Sequence, residues 1–167
     1  MTNLAEHPIP APSPRRAVQR RSPAARPAQC RDSRWPMVAA ALARLRAARR
    51  HSVRIVDADC GDGALLLCAV RHARALGFTA IEARGIGDDP GLIACAKAAA
   101  VLLCDPAIGI AFETGDPGCA LCSEAEFPAD ILLWHRCSAC NEAVTPMLAA
   151  AGQVLIADQP GMAGAAA

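Results

Sequence analysis

Apolar residues along this chain form short runs that alternate with longer stretches of helical periodicity. The short runs contain β-branched residues and are bounded by glycine, proline or charged residues, a pattern typical of buried strands. The predicted strands are residues 52–58, 78–86, 108–116, 129–135 and 153–158. Because strands that alternate with helices form βαβ units, we predict a parallel sheet with helices on both faces.

The predicted helices have suitable residues at their ends. A first helix over residues 36–50 gathers arginines near its carboxyl end, where the helix dipole favours them. The next, residues 64–76, stops before Gly77, a residue type common just after a helix. Asp89 is a candidate N-cap and Pro90 a candidate first residue of a third helix. A short further helix leads into the last strand.

Composition narrows the fold class to a doubly wound α/β domain. The chain has 167 residues, which suits one domain with a proper core. Hydrophobic residues make up 53% of it but aromatic residues only 3%, so leucine, isoleucine, valine and alanine must form the core.

No apolar run reaches the ~18 residues that cross a bilayer, and no secretory signal is recognisable. We therefore predict a cytoplasmic protein without a membrane partner.

The formal charge of +1 hides a strong asymmetry along the chain. Residues 1–50 hold eleven arginines against two acids, whereas the rest holds fourteen acids against six basic residues. We predict a disordered, basic, Pro/Arg-rich tail over 1–35, a domain over 36–160 and a flexible end over 161–167. Such a tail can attract nucleic acid, but no aromatic residues lie among its arginines to stack on bases.

A glycine-rich, acidic turn follows the first predicted strand, in the stretch VDADCGDGALLL at 56–67. In open α/β sheets ligands bind at the carboxyl ends of the strands, so this turn is the first candidate site. Dinucleotide-binding turns carry three spaced glycines, whereas this one has only Gly61 and Gly63. Its neighbours Asp59 and Asp62 would repel a diphosphate. The turn therefore favours a ligand that carries positive charge or many hydroxyls.

The turn resembles motif I of class I S-adenosylmethionine-dependent methyltransferases, in which an acid ends the first strand and a Gly-Cys-Gly-x-Gly turn follows. Asp57 matches the acid, and Cys60, Gly61 and Gly63 match the turn. Four later segments resemble further motifs of that family in the right order: RGIGDDPGLIACAKAAA, IAFETGD, FPADILLWH and LAAAGQVLIAD. The resemblance covers about residues 51–158. It implies a Rossmann-like sheet with strand order 3-2-1-4-5.

The resemblance also implies S-adenosylmethionine as the cofactor and methyl transfer to an acceptor that it does not identify. The turn would cradle the methionine part, Asp88 would hold the ribose and Asp116 would lie near the adenine. An acidic pocket would attract the sulfonium and ammonium groups of this cofactor. The implied cofactor-binding residues are Asp57, Asp59, Cys60, Gly61, Gly63, Asp88 and Asp116.

The sequence departs from the family pattern in three places. Asp59 replaces the first glycine of the turn. The acid that ends the second strand falls on Gly87, with Asp88 one residue late and therefore turned toward the other face. The chain stops after the fifth strand, without the usual last two strands, which would leave an exposed sheet edge for an oligomer contact. A non-catalytic binding or scaffold protein with the same fold is therefore the alternative.

His135 and Arg136 follow the fourth strand, where members of that family place acceptor-binding or catalytic groups. A histidine there has the pKa range of a general base, and His135 is the catalytic candidate. A histidine in a strand-end loop without any role explains the sequence equally well.

The nine cysteines include two Cys-x-x-Cys pairs with a spacing close to that of a zinc site. The four residues are Cys119, Cys122, Cys137 and Cys140. A predicted strand lies between the pairs and would separate them by roughly 20 Å, so no metal site is predicted from them. A zinc-binding protein and a thiol–disulfide role stay as alternatives. Without a secretory signal, incidental reduced thiols are favoured.

Overall fold

The computed structural model of the protein describes residues 30–135 and 145–158. Five helices and five strands alternate along these residues. The helices are α1 (Trp35–Ala47), α2 (Ala64–Ala75), α3 (Pro90–Ala100), α4 (Pro117–Glu124) and α5 (Thr145–Ala151). The strands are β1 (Ser52–Asp57), β2 (Ala80–Gly87), β3 (Ile108–Thr114), β4 (Ala129–Trp134) and β5 (Gly152–Ala157).

The five strands form one parallel sheet in the order β3-β2-β1-β4-β5, which confirms the predicted fold class and strand order. The central strand β1 pairs with β2 on one side and β4 on the other. Ile55 of β1 lies opposite Ala83 and Ile131 in these two ladders. All five strands therefore end on the same side of the sheet, which we call the carboxyl edge, and begin at the opposite amino edge.

Alternating side chains of the strands serve two apolar layers. Ile55 packs into the layer covered by α1, α2 and α3, and its neighbour Val56 packs into the layer beneath α4 and α5. Strand β4 is buried along its whole length, as a central strand covered on both faces should be. Trp134 at its end is only 5% exposed and belongs to the second layer.

A charged layer lies between the sheet and α4. We use that name for Arg54, Glu82, Arg84, Glu113 and Glu124. Glu124 is 1% exposed and forms two ion pairs. Its Oε2 lies 2.6 Å from Nη1 of Arg54, and its Oε1 lies 2.6 Å from Nη1 of Arg84. Glu82 pairs with Arg54 at 3.0 Å, and Glu113 pairs with Arg84 at 2.8 Å. Every member of the charged layer thus has a partner of opposite sign.

Helix α4 is not among the predicted helices, because the apolar pattern extends the predicted third strand through residue 116 and indicates a loop after it. The structure ends β3 at Thr114 and makes Asp116 the N-cap of α4, with Pro117 as the first helical residue. The same Asp–Pro pair opens α3 at Asp89, where the prediction was right. The other strand ends differ from the predicted ones by one or two residues.

The outer strands of the described sheet are β3 and β5. Leu155 of β5 is 44% exposed, which leaves an apolar side chain next to the free side of that strand. A contact between copies through this edge stays a prediction. In the described part of the chain, none of the helices combines the length and apolar character needed to cross a bilayer.

Candidate functional site at the carboxyl edge

The glycine-rich turn is fastened to both neighbours of β1. The N–H of Ala58 donates to the carbonyl of Leu133 at 3.1 Å, and the N–H of Cys60 donates to the carbonyl of Ile86 at 2.8 Å. The N–H of Gly63 then closes the turn onto the carbonyl of Cys60 at 2.8 Å. These bonds hold the start of α2 at a fixed place on the carboxyl edge.

The two glycines of the turn are required for different reasons. Both have positive φ, +53° at Gly61 and +74° at Gly63, a region that strains other residues. A Cβ at Gly63 would lie 2.6 Å from the Phe112 ring, and one at Gly85 of β2 would lie 2.5 Å from the same ring. A Cβ at Gly61 would meet nothing within 4 Å. Gly63 therefore serves packing, whereas open space lies in front of Gly61.

A cavity of about 440 Å³ lies beside the turn, and we call it the turn cavity. Its walls are the turn itself, the start of α2, and residues 30–34, which precede α1 and which we call the roof segment. The volume is in the range of small-molecule sites in proteins. Composition places the roof segment in the predicted tail. The structure shows that this segment supplies Arg34, a site residue that the sequence does not predict.

Arg34 is buried, with 5% of its surface exposed, and lines the turn cavity. Its guanidinium donates to both carboxylate oxygens of Asp32, at 3.0 Å and 2.8 Å, and pairs with Asp158 at 3.4 Å. Among residues 30–135 and 145–158, Nη1 has no hydrogen-bond partner. The nearby carboxylates, Asp32 and Asp57 foremost, outweigh the burial that would lower the pKa of Arg34, and they raise it. The arginine is therefore a permanent cation within an acidic surround.

Asp57, which ends β1, is completely buried, and neither of its carboxylate oxygens has a hydrogen-bond partner in the described part of the chain. Burial raises its pKa to about 7, and the charge of Arg34 offsets only part of that effect. Asp57 is thus a titrating group beneath the turn, not an exposed carboxylate of the turn cavity.

No protein-family model and no curated protein matches this sequence. Solved structures of three proteins assigned as methyltransferases resemble it. The match with HI0767, a methylase from Haemophilus influenzae, has a TM-score of 0.51 at 13% sequence identity and covers 75% of this chain and 74% of that protein. The match with a class I S-adenosylmethionine-dependent enzyme from Listeria monocytogenes has a TM-score of 0.49 at 23% identity and covers 64% of this chain and 31% of that protein. The match with the RNA methyltransferase PH1948 from Pyrococcus horikoshii has a TM-score of 0.45 at 16% identity and covers 75% of this chain and 61% of that protein.

This is the methyltransferase fold. The likeness to the Haemophilus methylase, together with the strand order, shows that the described domain shares the Rossmann-like architecture of that protein. The chain spans only 31% of the length of the Listeria protein and 61% of that of the Pyrococcus protein.

The end of β2 brings Asp88 to the same edge as the turn. Burial raises the pKa of the half-buried Asp59, and the like charge of Asp88 adds to this, while His135 and Arg34 act in the opposite direction. Asp88 itself is exposed. Gly87 occupies the position where the family pattern has an acid, and a Cβ there would lie 3.2 Å from Ile93. Close packing of α3 therefore leaves little room for a side chain at Gly87.

Asp116 also lies at the carboxyl edge, because the N–H of Gly115 donates to the carbonyl of Gly87 at 3.0 Å. Its carboxylate accepts the N–H of Cys119 at 2.7 Å as the N-cap of α4. That hydrogen bond lowers the pKa of Asp116, so the group is a carboxylate at neutral pH. The side chain is exposed and keeps acceptor capacity beyond the cap.

His135 follows β4 and forms a pair with Asp158, which follows β5. Nδ1 of His135 lies 2.5 Å from the Asp158 carboxylate, and the imidazole is 59% exposed. The same carboxylate pairs with Arg34 of the roof segment, so His135, Asp158 and Arg34 form one chain of contacts. Arg136 lies outside the described residues.

The cysteine pairs give no metal centre among the described residues, which contain no group of three or more histidine, cysteine or acidic side chains placed to hold an ion. Cys119 and Cys122 are exposed on α4, and the Asp116 carboxylate raises the pKa of Cys119. The raised pKa lowers the fraction of reactive thiolate at Cys119. Cys137 and Cys140 lie outside the described residues.

A second cavity of about 580 Å³ opens at the amino edge. Its charged groups already neutralise one another, since Arg50 pairs with Asp130 at 2.9 Å and Arg54 with Glu82 at 3.0 Å. Parallel sheets bind ligands at the carboxyl ends of their strands. We therefore place the candidate site at the carboxyl edge beside the turn cavity, which Cys60 lines and which Asp88 and Asp116 do not line.

Proposed function

We propose that this protein binds S-adenosylmethionine at the carboxyl edge of its sheet and transfers its methyl group to an acceptor. The observation that carries the proposal is the open space in front of Gly61, at a turn of positive φ beside a cavity of about 440 Å³. This space lies where the strand order places the ligand of an open parallel sheet. The shared fold supports the proposal.

The residues at this edge fit the charges of such a cofactor. Asp59, Asp62 and Asp88 are carboxylates with no ion-pair partner among the described residues, and Arg31 and Arg34 also line the turn cavity. Carboxylates that are not neutralised by an ion pair attract a sulfonium and an ammonium group. When bound, the cofactor would supply a methyl group made electrophilic by the positive sulfur.

The chain's own residues would divide the binding between them. Gly61 would let the backbone approach the methionine part, and Asp59 and Asp62 would face its cationic groups. Asp88 would accept hydrogen bonds from ribose hydroxyls, and Asp116 would accept one from the adenine amino group. Holding the cofactor in this way would position the methyl group for attack and exclude water from it, which is the main contribution that a protein makes to such a transfer.

His135 is the candidate general base. Its Nδ1–H would be donated to Asp158, which leaves Nε2 free to accept a proton from an acceptor group during transfer. This arrangement suits an acceptor whose nucleophilic atom carries a proton.

The test is isothermal titration of the full chain with S-adenosylmethionine and with S-adenosylhomocysteine. We expect dissociation constants in the micromolar range and at least a tenfold weaker binding for Gly61→Ala, whose methyl group would fill the open space. Gly77→Ala is the matched control, because Gly77 also has a positive φ, +92°, and its Cβ would meet only ordinary contact, 3.6 Å from Arg46. An absence of heat at millimolar ligand with the folded protein would contradict the proposal.

A non-catalytic binding protein is the second candidate, and the tight packing at Gly87 favours it, since the ribose would lack its usual acid. The loaded protein can be mixed with pools of small molecules, RNA and protein, and release of S-adenosylhomocysteine measured. Tight binding without release in any pool, and without methylation of the chain itself, would favour this candidate over the enzyme.

A further inference from the structure

Three of the seven described cysteines meet at the turn cavity. Cys30 is the first residue of the roof segment, Cys60 belongs to the turn, and Cys68 lies on the second turn of α2. The other four, Cys95, Cys104, Cys119 and Cys122, are exposed on other parts of the surface. Three thiols around one cavity are an unusual concentration for a protein that has no described metal site.

The three thiols differ in their surroundings. Cys60 is 8% exposed, and its Sγ packs under β2, 3.0 Å from the position of a Cβ at Gly85. Cys30 and Cys68 are both partly exposed. Burial raises the pKa of Cys68 to about 11, and the adjacent Cys30 thiol contributes to the rise. Cys30 and Cys68 therefore line the same cavity, one from the roof segment and the other from α2, whereas Cys60 is packed away from solvent.

We propose that Cys30 and Cys68 form a reversible disulfide that fastens the roof segment to α2 beside the turn cavity. The oxidant is a low-molecular-weight disulfide such as oxidised glutathione. The Cys30 thiolate attacks one sulfur of that disulfide, which forms a mixed disulfide and releases one glutathione thiol. The Cys68 thiolate then attacks the Cys30 sulfur and releases the second. Each cysteine loses one proton, and the two electrons reduce the glutathione disulfide.

The disulfide would act on the site because the roof segment carries Arg34. Arg34 contacts Asp158, which in turn contacts His135, so the cross-link would hold one wall of the cavity in place. Provided that the proposed function holds, ligand would exchange more slowly with the oxidised protein than with the reduced protein. The bond itself needs no ligand.

The first test is disulfide mapping of the full chain. The reduced protein is incubated in glutathione redox buffers, the remaining thiols are alkylated, and tryptic peptides are analysed by tandem mass spectrometry. Trypsin leaves Cys60 and Cys68 on one peptide, residues 55–71, so fragmentation between them must show which is linked. We expect the Cys30–Cys68 link to dominate. A dominant Cys119–Cys122 link, or full alkylation of Cys30 and Cys68, would overturn the proposal.

Variants and thermal unfolding provide a second measurement. Oxidation should raise Tm by on the order of 10 °C, because the cross-link restricts a long loop of the unfolded chain. Cys30→Ser and Cys68→Ser should each abolish that rise, whereas Cys95→Ser and Cys104→Ser should keep it. An unchanged Tm in the oxidised wild-type protein, or the same rise in Cys30→Ser, would contradict the assignment.

The consequence for binding is tested separately by stopped-flow exchange of S-adenosylhomocysteine. Slower exchange in the oxidised state, reversed by reduction, supports control of the site by the disulfide. Equal rates in both states contradict that control. A protein that shows the mapped disulfide but binds no ligand in either state would overturn the proposed function and leave the disulfide itself established.

Discussion

The charged layer beneath α4 and the carboxyl edge of the sheet both contain arginines among acidic residues, but the two regions differ in how the buried charges are paired. In the charged layer, Glu124 is held between Arg54 and Arg84 at 2.6 Å each. At the carboxyl edge, Asp57 is buried and has no ion-pair partner among the described residues. Every charge of the charged layer is paired, although Glu124 Oε2 lacks hydrogen-bond geometry, whereas the charge of Asp57 is not paired.

The difference indicates which end of the molecule serves structure and which serves ligand. Burying a charge is costly unless it is paired, so a network in which every charge has an ion-pair partner, such as the charged layer, is a structural solution. A buried carboxyl without such a partner, as Asp57 is beneath the turn, is a cost that the fold bears close to the candidate ligand site. Substitutions in the two regions should therefore have different consequences.

The largest effect is expected at Asp57. Burial raises its pKa from 3.8 to about 7, so the folded protein holds this proton more tightly than the unfolded chain does. The free energy of unfolding should therefore fall as pH rises from about 4 to about 7, by about 4 kcal/mol for this group. Asp57→Asn should remove that part of the fall and exceed the wild-type stability at pH 8.

Urea unfolding between pH 4 and pH 8 measures this. The exposed Asp62→Asn should keep the wild-type slope and is the control. Parallel stability profiles for the wild-type protein and Asp57→Asn would show that Asp57 is ionised in the folded protein as easily as in the unfolded chain.

The next largest effect is expected in the charged layer. Glu124→Ala leaves two arginines without their shared partner and should lower the free energy of unfolding by about 3 kcal/mol. Glu113→Gln, at a carboxylate whose side chain is 51% exposed, should cost less than about 0.5 kcal/mol. Binding of S-adenosylhomocysteine should be unchanged in both. Loss of binding in folded Glu124→Ala would break the distinction between the two regions.

A smaller effect is expected at Asp116, which caps α4 and is also a candidate ligand group. Asp116→Ala removes the cap and should lower Tm by roughly 3 °C, whereas asparagine is as good an N-cap as aspartate and should leave Tm unchanged. Ligand binding should weaken in both variants. If Asp116→Asn binds ligand as the wild-type protein does, the carboxylate serves only the helix.

The smallest effect concerns ligand charge. Asp62 lines the turn cavity and accepts the N–H of Ala64 at 3.0 Å. Asp62→Asn keeps this hydrogen bond but removes the charge, and it should weaken S-adenosylmethionine by about threefold more than S-adenosylhomocysteine, which lacks the sulfonium charge. Titration calorimetry of both ligands measures the difference. Equal losses of affinity for the two ligands would mean that the Asp62 carboxylate does not interact with the sulfonium charge.

Much of the fold could be predicted from the sequence, because it is encoded locally. Five β-branched runs alternate with helical stretches, and the resemblance to known motifs supplied the strand order that the structure shows. Asp89 with Pro90 marked the start of α3 correctly. Helix α4 escaped prediction because it has only eight residues and its glycine, cysteines and alanine give no clear helical period.

The site was predictable in part. The positive φ of Gly61 and Gly63 follows from their residue type, but their different reasons depend on where the Phe112 ring lies. Arg34 could not be found, because it belongs to an arginine-rich stretch whose composition is the same whether or not one member is buried. The pair between His135 and Asp158 depends on the ends of two strands that are neighbours only in space.

The Phe112 ring has a consequence for how such turns diverge. It fills the room that side chains at Gly63 and Gly85 would need, so selection for a well-packed interior suffices to retain both glycines. A related protein that no longer binds a small molecule would therefore still keep the glycine pattern of this turn. Gly61, where only the positive φ disfavours a side chain, is the glycine of the turn that would be replaced first in such a protein.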